Sequence, residues 1–278
     1  MSGLESVEDV VYLRDGDDAL HARIRRPSGP GPFPAVLHVH GGVWNTGSRL
    51  SDEAICRHLG AHGVLVVSID FRQAPQARYP QSIADVHYGV RWLRANAERL
   101  GSSPDRVGGL GVSSGGHQLL LATMRPDDPR YARHDLPGTP TLGYAVHLWP
   151  VTDPAARYRY ARESGRHHLV ARHDAYWAGV EDMAEGSPQR HLESWPAGTA
   201  LPPALLVYGD RDENIPEEIT SRFVAAYRAA GGRLDVARYP GMPHGFIDGS
   251  PETADSSADA LDRIVTFIKH CAPRAHPL

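Results

Sequence analysis

Residues 106–116 read RVGGLGVSSGG, and this stretch decides the fold. Its first half is apolar and rich in glycine, which is typical of a strand buried on both faces, and an apolar run, LLLATM, follows at 119–124. Between the two lies a G-x-S-x-G pattern centred on Ser113. A serine on a tight turn from strand to helix needs small neighbours, because the backbone there is strained and closely packed. The stretch therefore predicts a strand, a nucleophile at Ser113 on a tight turn, and a helix. The next residue, Ser114, is expected to contribute its backbone N–H rather than its hydroxyl.

Further strands and helices alternate on both sides of this unit. A hairpin over 9–13 and 19–25, with its turn at 15–18, is followed by strand-like runs at 35–40, 64–70, 142–148, 204–210 and 234–240. Helix-like segments occupy 51–62, 81–99, 114–124, 216–230 and 255–270. We expect the first of these helices to begin at an N-cap formed by Ser51-Asp52. The alternation predicts an α/β fold, with an eight-stranded, mostly parallel sheet covered by helices on both faces.

Composition excludes several classes of protein. The 278 residues are 41% hydrophobic and carry 29 basic and 33 acidic side chains, so neither disorder nor a polybasic nucleic-acid binder is indicated. No apolar run is long enough to cross a membrane, and the N-terminus lacks the pattern of a signal peptide. The two cysteines, Cys56 and Cys271, have no metal-like spacing, which favours a reduced, cytoplasmic protein and leaves a disulfide between them open. We expect a single domain over 1–278.

The stretch 149–200 interrupts the alternation, since it shows no clear strand and is rich in aromatic residues. Long excursions in compact domains are often functional. We interpret this one as an ordered lid inserted after the sixth strand; the alternative is an extra helix pair on the surface. We further hypothesise that Trp44, Trp149, Tyr176 and Trp177 line an apolar pocket for a small ligand, with core packing as the other reading.

A serine nucleophile needs a base and a carboxylate that orients the base. In a sheet of this kind they are expected on loops after later strands, in the order serine, acid, histidine. His244, in a Gly/Pro-rich loop after the last strand, is the candidate base. The loop after the preceding strand holds Asp210, Asp212 and Glu213, and spacing alone does not choose among them.

The segment HGGVW, residues 40–44, directly follows the strand at 35–40. Two successive glycines let the backbone turn so that its N–H groups face a cavity. Donors fixed in this way stabilise the oxyanion of a tetrahedral intermediate, so the segment indicates acyl-transfer chemistry.

Taken together, HGGVW, SIDFRQAPQARYP at 68–80, GVSSGG at 111–116, LPPALLVYGDRDENIP at 201–216 and GMPHGF at 241–246 resemble the serine esterases of the α/β-hydrolase superfamily. The similarity is greatest to the HGG-motif esterases of the hormone-sensitive lipase and carboxylesterase groups. The resemblance implies that Asp212 is the triad acid, with Asp210 second, and that the N–H groups of Gly42, Val43 and Ser114 form the oxyanion hole. It also implies hydrolysis of small to medium acyl esters without a metal or an organic cofactor.

Other functions remain open at this stage. HGGVW also matches the H-G-G-x-W motif of kynurenine formamidases, so an arylformamidase or another amide or lactone hydrolase is an alternative that depends on Trp44. A receptor for small ligands on the same scaffold would lack turnover. His38 and His40 share one face of a strand, which suggests a metal site, but no set of carboxylate ligands accompanies them. A homodimer is neither indicated nor excluded.

Overall fold

The computed structural model describes residues 6–273. Its strands, in chain order, are β1 (Ser6–Asp15), β2 (Asp18–Arg26), β3 (Ala35–Val39), β4 (Leu65–Ile69), β5 (Val107–Val112), β6 (Ala145–Leu148), β7 (Ala204–Gly209) and β8 (Leu234–Tyr239). Within the described residues they form one eight-stranded sheet in the order β1-β2-β4-β3-β5-β6-β7-β8. The pairs β1–β2 and β2–β4 are antiparallel, and all other neighbouring strands are parallel. The predicted sheet is confirmed.

The α-helices lie between and after these strands. They are α1 (Glu53–Ala61), α2 (Gln81–Asn96), α3 (Ser114–Met124), α4 (Pro154–Glu163), α5 (His167–Tyr176), α6 (Val180–Glu185), α7 (Pro188–Glu193), α8 (Glu217–Ala229) and α9 (Ala254–Cys271). α1 and α9 pack on one face of the sheet, whereas α2, α3 and α8 pack on the other. Helices therefore shield both faces of the sheet from water, which explains why the central strands are continuous apolar runs in the sequence. None of the helices described is long and apolar enough to cross a membrane.

Asp52 occupies the N-cap position of α1 as predicted, but its side chain does not cap the helix. Its φ is 57° and its side chain makes no capping hydrogen bond. Its Oδ2 lies 3.1 Å from Nε2 of the buried His38 in β3 instead. Asp52 therefore ties the loop before α1 to the sheet, because a buried imidazole needs a polar partner more than a helix end that water can reach.

The stretch 149–200 contains four short helices, α4 to α7, between β6 and β7. We call residues 149–200 the insertion. Within the insertion, Glu185 at the end of α6 pairs with both Arg125 and Arg130, and Tyr79 also donates a hydrogen bond to this carboxylate. The insertion is thus fixed to the body of the domain at this point by charge-assisted hydrogen bonds.

Candidate active site

Ser113 lies on a sharp turn between β5 and α3. Its backbone has φ 51° and ψ −117°, a conformation that costs about 1–3 kcal/mol for a residue with a side chain. The turn requires small neighbours, as the sequence predicts: a Cβ on Gly115 would lie 2.2 Å from the carbonyl oxygen of Val39. Backbone hydrogen bonds from Ser113 N–H to Leu148 and from Val151 N–H to Ser113 fix the turn against β6 and the start of the insertion.

Three distant side chains meet at this turn. Ser113 Oγ lies 3.0 Å from His244 Nε2, and His244 Nδ1 lies 2.7 Å from Asp212 Oδ2. The Asp212 side chain is 4% exposed and that of His244 18% exposed, so the carboxylate is shielded from water while the imidazole borders the site. A hydroxyl, an imidazole and a carboxylate thus form a continuous hydrogen-bonded chain, an arrangement that activates a serine nucleophile.

The second oxygen of Asp212 is also used. Its Oδ1 accepts the backbone N–H groups of Asn214 and Ile215, each at 2.8 Å. These bonds hold the carboxylate in one orientation with Oδ2 facing His244. The neighbouring Asp210 is directed elsewhere, since its Oδ1 accepts the N–H of Gly241 at 2.6 Å. Geometry therefore brings Asp212, and not Asp210, to the histidine.

The HGGVW segment lies against the serine turn. Gly42 has φ 111°, and a Cβ there would lie 2.0 Å from the carbonyl oxygen of Thr46, so only glycine fits. Val43 and Trp44 follow with φ 53° and 63°, which is the left-handed region that side chains disfavour. A Cβ on Gly41 would lie 3.2 Å from Cβ of Ser113, which shows how closely the segment approaches the nucleophile.

The Ser114 hydroxyl corrects the sequence interpretation. We expected only its backbone N–H to matter, but Ser114 Oγ accepts the N–H of Trp44 at 3.2 Å in a buried position. The hydroxyl therefore connects the HGGVW segment to the first residue of α3. The acceptor is needed because the N–H of Trp44 is buried and lies outside the helices and strands, so no regular backbone partner is available to it.

The four aromatic side chains predicted to line a pocket are buried. Trp44 stacks on Tyr176 with ring centroids 5.0 Å apart and an interplanar angle of 3°, and Trp177 meets both rings edge to face. Trp149 lies apart from this group, with its ring centroid 6.0 Å from that of His244. The first three rings join the insertion to the HGGVW segment by aromatic packing. A role for any of the four in contacting substrate stays a prediction.

His117 belongs to this region although no sequence motif singles it out. Its Nδ1 accepts the indole N–H of Trp44 at 3.2 Å, and its Nε2 donates to the carbonyl of Gly186 in the insertion at 2.8 Å. Burial lowers the pKa of His117 to about 3, so the ring is neutral and serves as both acceptor and donor. The one available signal was its position three residues after Ser114 on the same face of α3.

His38 and His40 do not converge on a common point. His38 Nδ1 lies 2.9 Å from Ser68 Oγ, and its other nitrogen contacts Asp52. His40 Nδ1 donates to the carbonyl of Gly41 at 2.6 Å, and its ring stacks on Phe71. Both imidazoles thus have local structural partners. Among residues 6–273 no group of three or more His, Cys, Asp or Glu side chains is placed to hold a metal ion.

A family model described as alpha/beta hydrolase fold matches residues 36–248, and the chain belongs to this family. Esterase LipC of Mycobacterium tuberculosis is 30% identical over 265 residues, which cover 91% of this chain and 63% of LipC. Carboxylesterase NlhH of the same species is 27% identical over 246 residues, covering 85% of this chain and 73% of NlhH. The chain spans 63% of the length of LipC. It spans 62% of the probable carboxylic ester hydrolase LipM and 61% of the carboxylic ester hydrolase LipN, both from the same species.

Solved structures support the same fold. An esterase of Pyrobaculum calidifontis matches with a TM-score of 0.79 and 24% identity, covering 98% of this chain and 87% of that one. Esterase 2 of Thermogutta terrifontis, in a form with propionate bound, matches with a TM-score of 0.75 and 24% identity over 97% of both chains. The predicted α/β-hydrolase fold is confirmed by these likenesses together with the family match.

Proposed function

We propose that this protein is a serine carboxylic-ester hydrolase that acts on small to medium acyl esters through an acyl-enzyme on Ser113. The observation that carries the proposal is the unbroken chain from Ser113 Oγ through His244 to Asp212, with hydrogen bonds of 3.0 and 2.7 Å. Membership of the α/β-hydrolase family supports it. So do the names of the relatives, which include several esterases and carboxylic ester hydrolases.

The proposed cycle has two acyl transfers. Ser113 Oγ attacks the ester carbonyl carbon while its proton passes to His244 Nε2, and the bond to the alcohol oxygen then breaks as that oxygen takes the proton from His244. Water attacks the acyl-enzyme in the same way, and the acid leaves with Ser113 restored. Asp212 holds the Nδ1–H tautomer of His244 and stabilises the imidazolium. The triad side chains, together with backbone N–H donors for the oxyanion, supply this chemistry, so the proposal includes no cofactor and no metal.

We assign the oxyanion hole to the backbone N–H groups of Gly42, Val43 and Ser114. The hydrogen bonds of residues 6–273 support the choice, because the N–H groups of Gly42 and Val43 donate to no other protein group whereas that of Trp44 is used by Ser114 Oγ. Free, fixed donors beside the nucleophile are what a tetrahedral oxyanion requires.

The proposal keeps two further expectations. A small-molecule ester is the partner that the chemistry needs, and we propose a cytoplasmic location on the low cysteine content. A homodimer stays neither indicated nor excluded. Cys56 and Cys271 are both free thiols in the structure, so the disulfide left open by the sequence is not formed.

We further propose that the insertion covers the site as a fixed cap.

A ladder of p-nitrophenyl esters from acetate to laurate tests the proposal, with N-formylkynurenine and a lactone assayed beside it. We expect turnover to be highest for short and medium acyl chains and to be lost in Ser113→Ala. Paraoxon should release one p-nitrophenolate per active chain, since attack by Ser113 on phosphorus expels that group. Binding without turnover would instead indicate a receptor, and a kcat/KM for the formamide well above that for every ester would favour the formamidase alternative.

A further inference from the structure

Arg157, on α4 of the insertion, carries a guanidinium group that is almost completely buried, with 1% of the residue exposed. Its Nε donates to the carbonyl of Asn214 at 3.1 Å, whereas its Nη1 has no hydrogen-bond partner among the described residues. Burial lowers the pKa of Arg157 to about 10, against the opposing attraction of Asp212. The side chain remains a cation at neutral pH.

Stability does not explain this residue. Within residues 6–273 no carboxylate lies within ion-pair distance of the Arg157 guanidinium, which distinguishes it from Arg72 and its partner Asp85. A buried charge without such a partner disfavours the folded state, and an apolar side chain of similar volume in its place is often neutral or stabilising. The position of the guanidinium therefore calls for a reason outside folding.

Arg157 contacts two parts of the site other than the turn at Ser113, namely the loop that carries Asp212 and the HGGVW segment. The carbonyl it holds belongs to Asn214, whose own N–H donates to Asp212 Oδ1 at 2.8 Å. On its other side, Cζ of Arg157 lies 5.8 Å from the centroid of the Trp44 ring, a cation–π contact with the HGGVW segment. One side chain of the insertion thus touches both the acid loop and the segment proposed to bind the oxyanion.

We propose that Arg157 is a positioning residue for turnover: it fixes the Asp212 loop through the Asn214 carbonyl and the HGGVW segment through the Trp44 ring. This inference rests on the proposed ester hydrolysis. It makes the insertion part of the catalytic apparatus, because both contacts are made from α4. A loss of either contact allows small displacements of the acid or the donors, and displacements of about 1 Å cost on the order of 100-fold in rate.

The test compares Arg157→Met and Arg157→Lys with Arg159→Met. Arg159 is exposed on the opposite side of α4 and has no place in the proposed machinery, so its variant is a matched control for loss of one charge from the same helix. Active sites are counted by the p-nitrophenolate released with paraoxon, and kcat and KM are measured with p-nitrophenyl butyrate. Thermal melting reports on folding.

For Arg157→Met we expect kcat per titrated site to fall by about 10- to 100-fold, with KM within about threefold and an unchanged or higher Tm. Arg157→Lys should recover part of the loss, because its ammonium can also donate to the Asn214 carbonyl, and Arg159→Met should match the wild type. An unchanged kcat per site in Arg157→Met would overturn the inference, as would a variant that does not fold, since either assigns Arg157 to structure. A wild type that turns over no ester would contradict the proposed function instead.

Discussion

Ser114→Ala is the substitution that tests how the HGGVW segment is held. Ser114 Oγ accepts the N–H of Trp44 at 3.2 Å, and both residues are completely buried. Removing the acceptor leaves a buried N–H without a partner, which costs about 1–3 kcal/mol. Val43 and Trp44 have φ of 53° and 63°, and this conformation costs about 1–2 kcal/mol per residue. The free energy lost with this hydrogen bond is thus comparable to the strain energy of the Val43–Trp44 backbone that the bond stabilises.

Without the bond, we expect the strained pair to relax and to move the N–H of Val43 away from the oxyanion. Loss of a complete oxyanion donor costs about 100- to 1,000-fold in kcat, so a displaced donor should cost about 10- to 100-fold. The free energy of unfolding should fall by about 1–3 kcal/mol. Because domains are stable by about 5–15 kcal/mol, Ser114→Ala should still fold.

The assay measures kcat and KM with p-nitrophenyl butyrate, and urea denaturation gives the stability. Ser102→Ala is the matched control: Ser102 is 5% exposed and its Oγ donates to the carbonyl of Phe33 at 2.7 Å, near the start of β3 and so at the opposite end of the sheet. We expect the two variants to lose similar stability and only Ser114→Ala to lose kcat. If Ser114→Ala loses stability but keeps kcat within about twofold of the wild type, the reasoning on the oxyanion segment is refuted.

Three other predictions follow from the geometry. In ester assays, Asp212→Ala should lower kcat by about 10⁴-fold, whereas Asp210→Ala should keep kcat within about tenfold of the wild type. The reverse order would make Asp210 the triad acid. Asp85→Ala removes a fully buried carboxylate that accepts two guanidinium hydrogen bonds from Arg72, so urea denaturation should show a loss of about 3–5 kcal/mol; a loss below about 1 kcal/mol would contradict this. His117 has a pKa lowered to about 3 by burial, whereas an unfolded histidine titrates near 6.5. Between these two pKa values only the unfolded state binds the proton, so the free energy of unfolding falls with falling pH by up to about 1.4 kcal/mol per pH unit. His117→Gln should reduce the slope of the free energy of unfolding against pH by up to this amount between about pH 6 and 4. Equal slopes in the variant and the wild type would count against a neutral His117.

The regular elements could be predicted because each has a local cause. The helix expected over 114–124 is α3 with the same bounds, and the strand expected over 106–112 is β5, since both are apolar runs bounded by glycine and polar residues. The strand expected over 142–148 begins only at Ala145. The side chain of Asp52 does not cap α1 because its partner, His38, lies in β3, and a contact between a loop and a distant strand leaves no local sequence pattern.

The sequence predicts which types of residue form the candidate site. It predicts less well which of several neighbouring residues of one type takes part. Spacing placed three carboxylates in the loop after β7 without separating them, because the direction of a loop side chain depends on tertiary contacts. In the structure those contacts are the N–H groups of Asn214 and Ile215, which orient Asp212, and that of Gly241, which occupies Asp210. The resemblance to a known family supplied what the residues alone did not.

The surroundings of Trp44 show why a motif read in isolation leaves its function open. In the sequence, this tryptophan is the feature that favours formamide chemistry. In the structure both of its N–H groups are taken by α3: the backbone N–H by Ser114 Oγ and the indole N–H by His117 Nδ1. Ser114 and His117 are three residues apart and so lie on one face of the helix. A tryptophan at this position is therefore accounted for by its packing on the helix that follows the nucleophile, and its presence does not by itself distinguish an ester substrate from a formamide.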